Sequence, residues 1–250
     1  MSEYISVVIA AKSPPPEQFR LCVSSFAALA NAGALQIIIV KSGDIPELPL
    51  GLAQRFGKFE IVDIPPEGVY AAYNAGCNLA VGAYTLFFGA DDIALPGMDT
   101  LIDEVLLKDS TYHLVAAPCY MQSRGLARPS NRRTGLIFAN WCHQGLFYQT
   151  RYLKSHPYDT RYRIQADHKM NIDIVSDRNN RIFIAKDLVA YFCAGGISST
   201  RPDLVFRADF PTIVGAAYGR QWGWLVALKQ KLIDLVKGPP EKRFQGAYRR

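Results

Sequence analysis

Two adjacent carboxylates, Asp91 and Asp92, close the strongly apolar run Thr85-Leu86-Phe87-Phe88. A buried charge without a partner costs several kcal/mol, so carboxylates at the end of such a run need a cation or hydrogen-bond donors close by. A divalent metal carrying a diphosphate would satisfy them. So would a helix, because aspartate is a favoured N-cap and Pro96-Gly97 lies just beyond. Further along, Asp167 opens a helical pattern over residues 166–176, where an acid in the first turn is favoured by the helix dipole. His143, Gln144 and His168 are polar groups in the same half of the chain.

The elements that must position these groups alternate. Residues 4–11 are a β-branched strand, and Pro14 to Pro16 open a helix through Phe19, Cys22, Val23, Phe26 and Leu29 that stops at Gly33. Strands are predicted at residues 35–40, 59–64 and 83–88, a short helix at 48–56 and a helix at 70–80. Buried strands without polar alternation, separated by helices, predict a mostly parallel sheet covered on both faces. Ligands of such sheets lie beyond the carboxyl ends of the strands. The loops there carry Lys12-Ser13, Lys41-Ser42-Gly43-Asp44 and Gly89-Ala90-Asp91-Asp92. The second half is less regular: an arginine-rich loop over 123–135, either an active-site lid or a plain solvated loop, an apolar segment 141–148, and short strands at 181–185 and 188–192.

With 49% hydrophobic and 20% charged residues, the 250-residue chain has material for a large core, which excludes disordered and disulfide-scaffold classes. Five cysteines without C-x-x-C spacing suggest neither a disulfide framework nor a zinc site and fit a reducing compartment. The N-terminus does not read as a signal peptide, and the uncharged stretch 21–40 reads as helix, turn and strand rather than a membrane span. The whole net charge of +6 resides in residues 218–250, which hold eight Lys/Arg and two acids. The remainder is neutral, which argues against nucleic acid as a partner.

Five segments in register resemble the family 2 glycosyltransferases of the GT-A fold, most closely bacterial members that build exopolysaccharide and other surface glycans. They are Ile5-Ser-Val-Val-Ile-Ala-Ala11, Gly68-Val-Tyr-Ala-Ala-Tyr-Asn-Ala-Gly76 with Gly82 to Asp92, Cys142-His-Gln144, Ile164-Gln-Ala-Asp167 and Gly195-Gly-Ile-Ser198. The resemblance implies a Rossmann-like GT-A domain over residues 1–200 with a helical, basic appendage over 201–250. It implies a hexosyl transfer from a nucleotide-sugar, a UDP-sugar foremost, to a glycan or lipid-linked acceptor, with inversion in a single displacement. Asp91 and Asp92 resemble the family's nucleotide and metal carboxylates, which take Mn²⁺ or Mg²⁺. Ala10, Lys41, Tyr70, Asn74, Gly195 and Gly196 fall on its donor side, and His143, Gln144 and His168 on its acceptor side. Asp167 resembles the base that deprotonates the acceptor hydroxyl.

Three positions depart from the pattern. Lys41 stands where an aspartate usually reads the base, Gly89 replaces the first acid of Asp-x-Asp-Asp, and Ala71 replaces an acid after Tyr70. These departures keep a non-catalytic glycan-binding module in play. A nucleotidyltransferase is the other alternative, although Ala10-Ala11-Lys12-Ser13-Pro14 lacks the glycines of its phosphate loop. In the tail, Tyr218, Trp222, Leu225, Leu228, Leu232 and Leu235 form a helical stripe beside lysines, expected either to dock on the core or to lie at the inner face of a membrane as a peripheral contact of a cytoplasmic enzyme.

Overall fold

The computed structural model describes residues 4–194 and 202–238, which divide into two compact units. Among the described residues the first comprises 4–129, Trp141–Tyr158 and Asn180–Cys193, and the second Ser130–Asn140, Asp159–Asn179, Ala194 and 202–238.

The first unit is built on β1 (Ile5–Ala11), β2 (Leu35–Lys41), β3 (Lys58–Asp63) and β4 (Tyr84–Gly89), paired in parallel in the order β4-β1-β2-β3. Alternate strand residues face opposite sides. Ile9 and Phe88 meet α1 (Pro16–Ala27), whose Phe26 ring lies 4.8 Å from that of Phe88. Val8 and Phe87 face the other side, where α2 (Val69–Leu79) packs with the Tyr73 ring 4.6 Å from Phe87. Helices therefore cover both faces, as the apolar strand runs require. Gly76 permits the close approach of α2, since a Cβ there would sit 2.3 Å from Val8 Cγ1.

Past β4 the chain adds β5 (Ile93–Ala94), α3 (Gly97–Leu101), β6 (Leu114–Ala116), β7 (Cys119–Met121), β8 (Gly125–Ala127), β9 (Leu146–Gln149), α4 (Thr150–Ser155), β10 (Ile182–Ile184) and β11 (Ala190–Phe192). The main sheet has seven strands in the order β10-β6-β9-β4-β1-β2-β3, and only β9 runs antiparallel to its neighbours. A second sheet orders β5-β11-β7-β8.

The second unit holds α5 (Ala166–Ser176), α6 (Leu204–Tyr218) and α7 (Arg220–Lys237). Asp203 ties α6 to the approach of α5: its Oδ1 accepts from Phe206 N, and its Oδ2 from Ile164 N and Gln165 N.

Four expectations need correction. The helix predicted at 48–56 is a single 3-10 turn at Ala53–Arg55. The loop 123–135 contains β8, paired with β7, and Arg133 is anchored to the carbonyls of Val175 and Asp177. The stripe beginning at Tyr218 spans two helices, broken at Gly219, whose φ of +105° suits glycine. Asp92 caps no helix, for α3 begins at Gly97 behind Pro96.

Candidate active site

The acidic pair sits at the carboxyl end of β4. Asp92 is 1% exposed, and three donors engage its carboxylate. Gln144 Nε2 donates to Oδ2 at 2.6 Å, Gly89 N donates to Oδ2 at 3.1 Å, and Cys193 N donates to Oδ1 at 3.0 Å. The donors come from β4 itself, the turn before β9 and the segment after β11. Burial, then the neighbouring Asp91 charge, pushes the Asp92 carboxyl up to about 7 against the pull of these donors.

Asp91 is half-buried, and among the described residues no donor from another residue is bonded to its carboxylate. Burial raises its carboxyl from the ordinary value, opposed by its own backbone N–H and by the nearby His143. Gly89 makes the pair possible. A Cβ there would stand 2.8 Å from both Asp91 Oδ1 and Asp92 Oδ2, so the glycine that departs from the family pattern lets both carboxylates fold back over the strand end.

His143 Nε2 lies 3.4 Å from Tyr73 Oη. Gln144, which the resemblance assigned to the acceptor, is buried and spends its amide on Asp92, while its Oε1 accepts from the Cys142 thiol at 3.0 Å. Ala10, one residue before the end of β1, pairs with Gly89. Lys41, at the end of β2, is ion-paired with Asp63 at the end of β3. Asn74 gives both halves of its amide to the backbone of Tyr158, each at 2.9 Å, and the Tyr70 ring packs 5.1 Å from that of Tyr158. Asn74 and Tyr70 thus brace the turn after α4. Gly195 and Gly196 lie outside the described residues.

In the second unit Asp167, 7% exposed in the first turn of α5, accepts from Asn140 Nδ2 at 2.7 Å. Asn171, one turn along the helix, donates to Asn140 Oδ1 at 2.9 Å, which fixes the amide that faces Asp167. His168 points elsewhere. Its Nε2 is 2.7 Å from the Leu136 carbonyl and so carries the proton, its ring stacks against Phe206, and burial lowers its pKa. Its Nδ1 is buried with no partner among the described residues. These contacts pack His168 between the Leu136 carbonyl and Phe206.

Sequence reasoning missed Asn140, Asn171 and the Cys193 amide. The two asparagines lie 31 residues apart and carry no spacing signal, and a backbone donor carries none at all.

A hard cation takes oxygen ligands, and Mg²⁺ in particular is often held by one or two carboxylates together with substrate phosphates. Among the described residues no group of three or more His, Cys, Asp or Glu side chains could hold a metal ion. Asp91, the carboxylate without a donor from another residue among the described residues, fits a cation completed by phosphate oxygens. Asp92, with its three donors, fits the part of a fixed anchor behind it.

A model of the family described as Glycosyl transferase family 2 matches residues 6–171. A PGL/p-HBAD biosynthesis glycosyltransferase of Mycobacterium bovis (strain BCG / Pasteur 1173P2) is 31% identical over 211 residues, covering 76% of this chain and 77% of that protein. Among solved structures, S. aureus TarS 1-349 in complex with UDP is similar with a TM-score of 0.63 at 14% identity, over 88% of this chain and 68% of that one. The chain spans 42% of the longer TarS structure. Mannosyltransferase PcManGT from Pyrobaculum calidifontis, in complex with GDP-Man and Mn²⁺, gives a TM-score of 0.54 at 15% identity over 87% of this chain and 63% of that one. The likeness to these solved structures is one of fold.

Proposed function

The chain belongs to glycosyl transferase family 2, and from that premise we propose that it is a metal-dependent, inverting hexosyltransferase acting on a UDP-sugar in the synthesis of a surface polysaccharide or glycolipid. Its mixed α/β fold, with a seven-stranded sheet, is of the GT-A type. The acceptor is a glycan or lipid-linked saccharide, a class consistent with the mycobacterial relative's name, and the reaction proceeds in the cytoplasm at the inner face of the membrane. Residues 1–200 form the transferase domain and 201–250 its appendage.

The observation that carries this reading is the division of labour at the end of β4, where Asp92 is held by three donors and Asp91 is left for a ligand. A Mn²⁺ or Mg²⁺ ion held by Asp91 and the donor phosphates would neutralise the charge that develops on the departing diphosphate. Gln144 and the amides of Gly89 and Cys193 keep Asp92 fixed, and Asp92 in turn keeps the strand end in the shape that presents Asp91. His143, near Asp91 and 3.4 Å from the Tyr73 hydroxyl, adds an imidazole on the same side. Ala10 and Lys41, at neighbouring strand ends, line the donor side. Where the family usually carries an aspartate, the Lys41–Asp63 ion pair would face the nucleobase.

Asp167 takes the proton of the acceptor hydroxyl. The oxygen then attacks the anomeric carbon as the bond to the diphosphate breaks, and one displacement inverts the configuration. Asn140, braced by Asn171, donates to Asp167 Oδ2 and so restrains the carboxylate in one orientation. UDP complexes of a structural neighbour support the choice of base, and the Mn²⁺ complex of another supports the cation. Turnover of UDP-hexoses by the wild type and by Asp167→Asn tests the assignment. The variant should bind UDP as the wild type does and lose about 10²- to 10⁴-fold in rate. Unchanged turnover would remove Asp167 from the role of base, and a product of retained anomeric configuration would rule out the single displacement.

A further inference from the structure

The last helix of the second unit presents an apolar face to solvent. α6 and α7 form an antiparallel hairpin whose contact is close: a Cβ on Gly223 would lie 2.5 Å from the Pro211 carbonyl oxygen and 2.9 Å from Gly215 Cα. Farther along, Arg207 grips both oxygens of Asp234 at 2.7 and 2.8 Å, and Gln230 Nε2 donates to the Arg207 carbonyl at 3.0 Å. Gly223, Val226, Gln230 and Asp234 recur at three- and four-residue spacing and mark the side of α7 turned toward α6.

At about 100° per residue, Trp224, Leu235, Leu228, Leu232, Leu225 and Val236 fall within an arc of about 120° on the other side. This arc is open. Trp224 is 65% exposed, Leu235 83% and Val236 78%, and a groove of about 410 Å³ runs along Leu225, Leu228, Leu232 and Val236. Scattered exposed leucines are ordinary, whereas six contiguous large apolar side chains on one helix face mark an interaction surface.

The charges identify the partner. Lys229 borders the arc on one edge, and Lys231 and Arg220 on the other. The only acid of α7, Asp234, is bound by Arg207 on the side of α6, so the charge beside the apolar arc is positive. The twelve residues that follow position 238 add Lys242, Arg243, Arg249 and Arg250 against Glu241. Long basic side chains flanking an apolar arc can bury their stems and hold their charges at phosphate level, as interfacial helices do. Among the described residues no helix is long and apolar enough to cross a membrane.

We propose that the 224–236 face of α7 docks on a membrane surface rich in anionic lipid, with the helix axis parallel to the surface and Lys229 and Lys231 at the headgroups. The inference rests on the membrane location in the proposed function and names the surface that makes it; because vesicle docking requires neither donor nor acceptor, its failure is distinguishable from failure of the sugar-transfer reading. Co-sedimentation of the full chain with vesicles of phosphatidylglycerol and phosphatidylcholine in equal parts, and with phosphatidylcholine alone, tests it. The wild type should bind the anionic vesicles, release them at high salt, and bind neutral vesicles weakly. Leu228→Gln with Leu232→Gln, and separately Lys229→Gln with Lys231→Gln, should each weaken anionic binding about tenfold or more, with circular dichroism unchanged. Absence of vesicle binding by the wild type would overturn the proposal, as would full binding by both double variants. A dimer that the leucine substitutions dissolve, in a protein that ignores vesicles, would assign the face to a second copy of the chain and overturn it equally.

Discussion

Gln144 Nε2 approaches Asp92 Oδ2 to 2.6 Å inside a site where both side chains are 1% exposed. A charge-assisted bond of that length between two buried groups fixes the anchor of the acidic pair from across the sheet, because Gln144 precedes β9 and Asp92 follows β4. The Cys142 thiol completes the chain by donating to Gln144 Oε1, which determines which way the amide points.

Replacing Gln144 with Leu removes the side-chain donor while keeping the volume close. A buried carboxylate then loses one of three partners, and stability should drop by about 1–3 kcal/mol in urea unfolding at neutral pH. An unfolding midpoint equal to that of the wild type would show that Asp92 does not depend on this bond.

Asn140→Ala leaves Asp167 in place without its orienting amide. The rate constant for transfer should fall by up to about 10²-fold while UDP affinity stays near the wild-type value, and the unfolding midpoint should drop because the buried Asp167 and Asn171 each lose a partner. Asn171→Ala should lower the rate less, since its effect passes through Asn140. Steady-state kinetics beside calorimetry separates the outcomes, and a loss of stability with full kcat would reduce both asparagines to scaffold.

His168 sets a pH dependence of stability. Its folded pKa is lowered, first by burial, from an unfolded value of about 6.5. Between the folded value and 6.5 the unfolded chain binds the extra proton, so stability falls as pH drops through this window and is fully present above it. His168→Gln can keep a donor toward the Leu136 carbonyl but cannot titrate. Urea midpoints of the variant should vary less over about pH 7.5 to 5 than those of the wild type. Parallel curves would mean that His168 titrates alike in both states.

Much of this architecture is legible in the chain. β1, β2 and β4 announce themselves as continuous β-branched or aromatic runs, and Asp91-Asp92 falls where a parallel sheet puts its ligands. The direction of β9 is not legible, because Leu146 to Gln149 reads as a buried strand whichever way it runs. β8 has three residues and too little apolar alternation to reveal itself. The break at Gly219 is hidden by an apolar stripe that continues across it. At the site, sequence order makes Asp91 and Asp92 equivalent, and what distinguishes them is the arrival of Gln144 and the Cys193 amide from segments 52 and 101 residues away. The pairing of Lys41 with Asp63, 22 residues on, likewise depends on the register of β2 and β3.

The proposed function puts the cation on Asp91 of the acidic pair Asp91-Asp92, and calorimetric titration with UDP, with and without Mn²⁺, tests that proposal most directly. Mn²⁺ should tighten UDP binding to the wild type by about tenfold or more, a gain of about 1.4 kcal/mol per decade, and Asp91→Ala should fold normally yet bind UDP equally with and without the ion. UDP binding indifferent to Mn²⁺ in the wild type, or a Mn²⁺ effect that survives in Asp91→Ala, would contradict it.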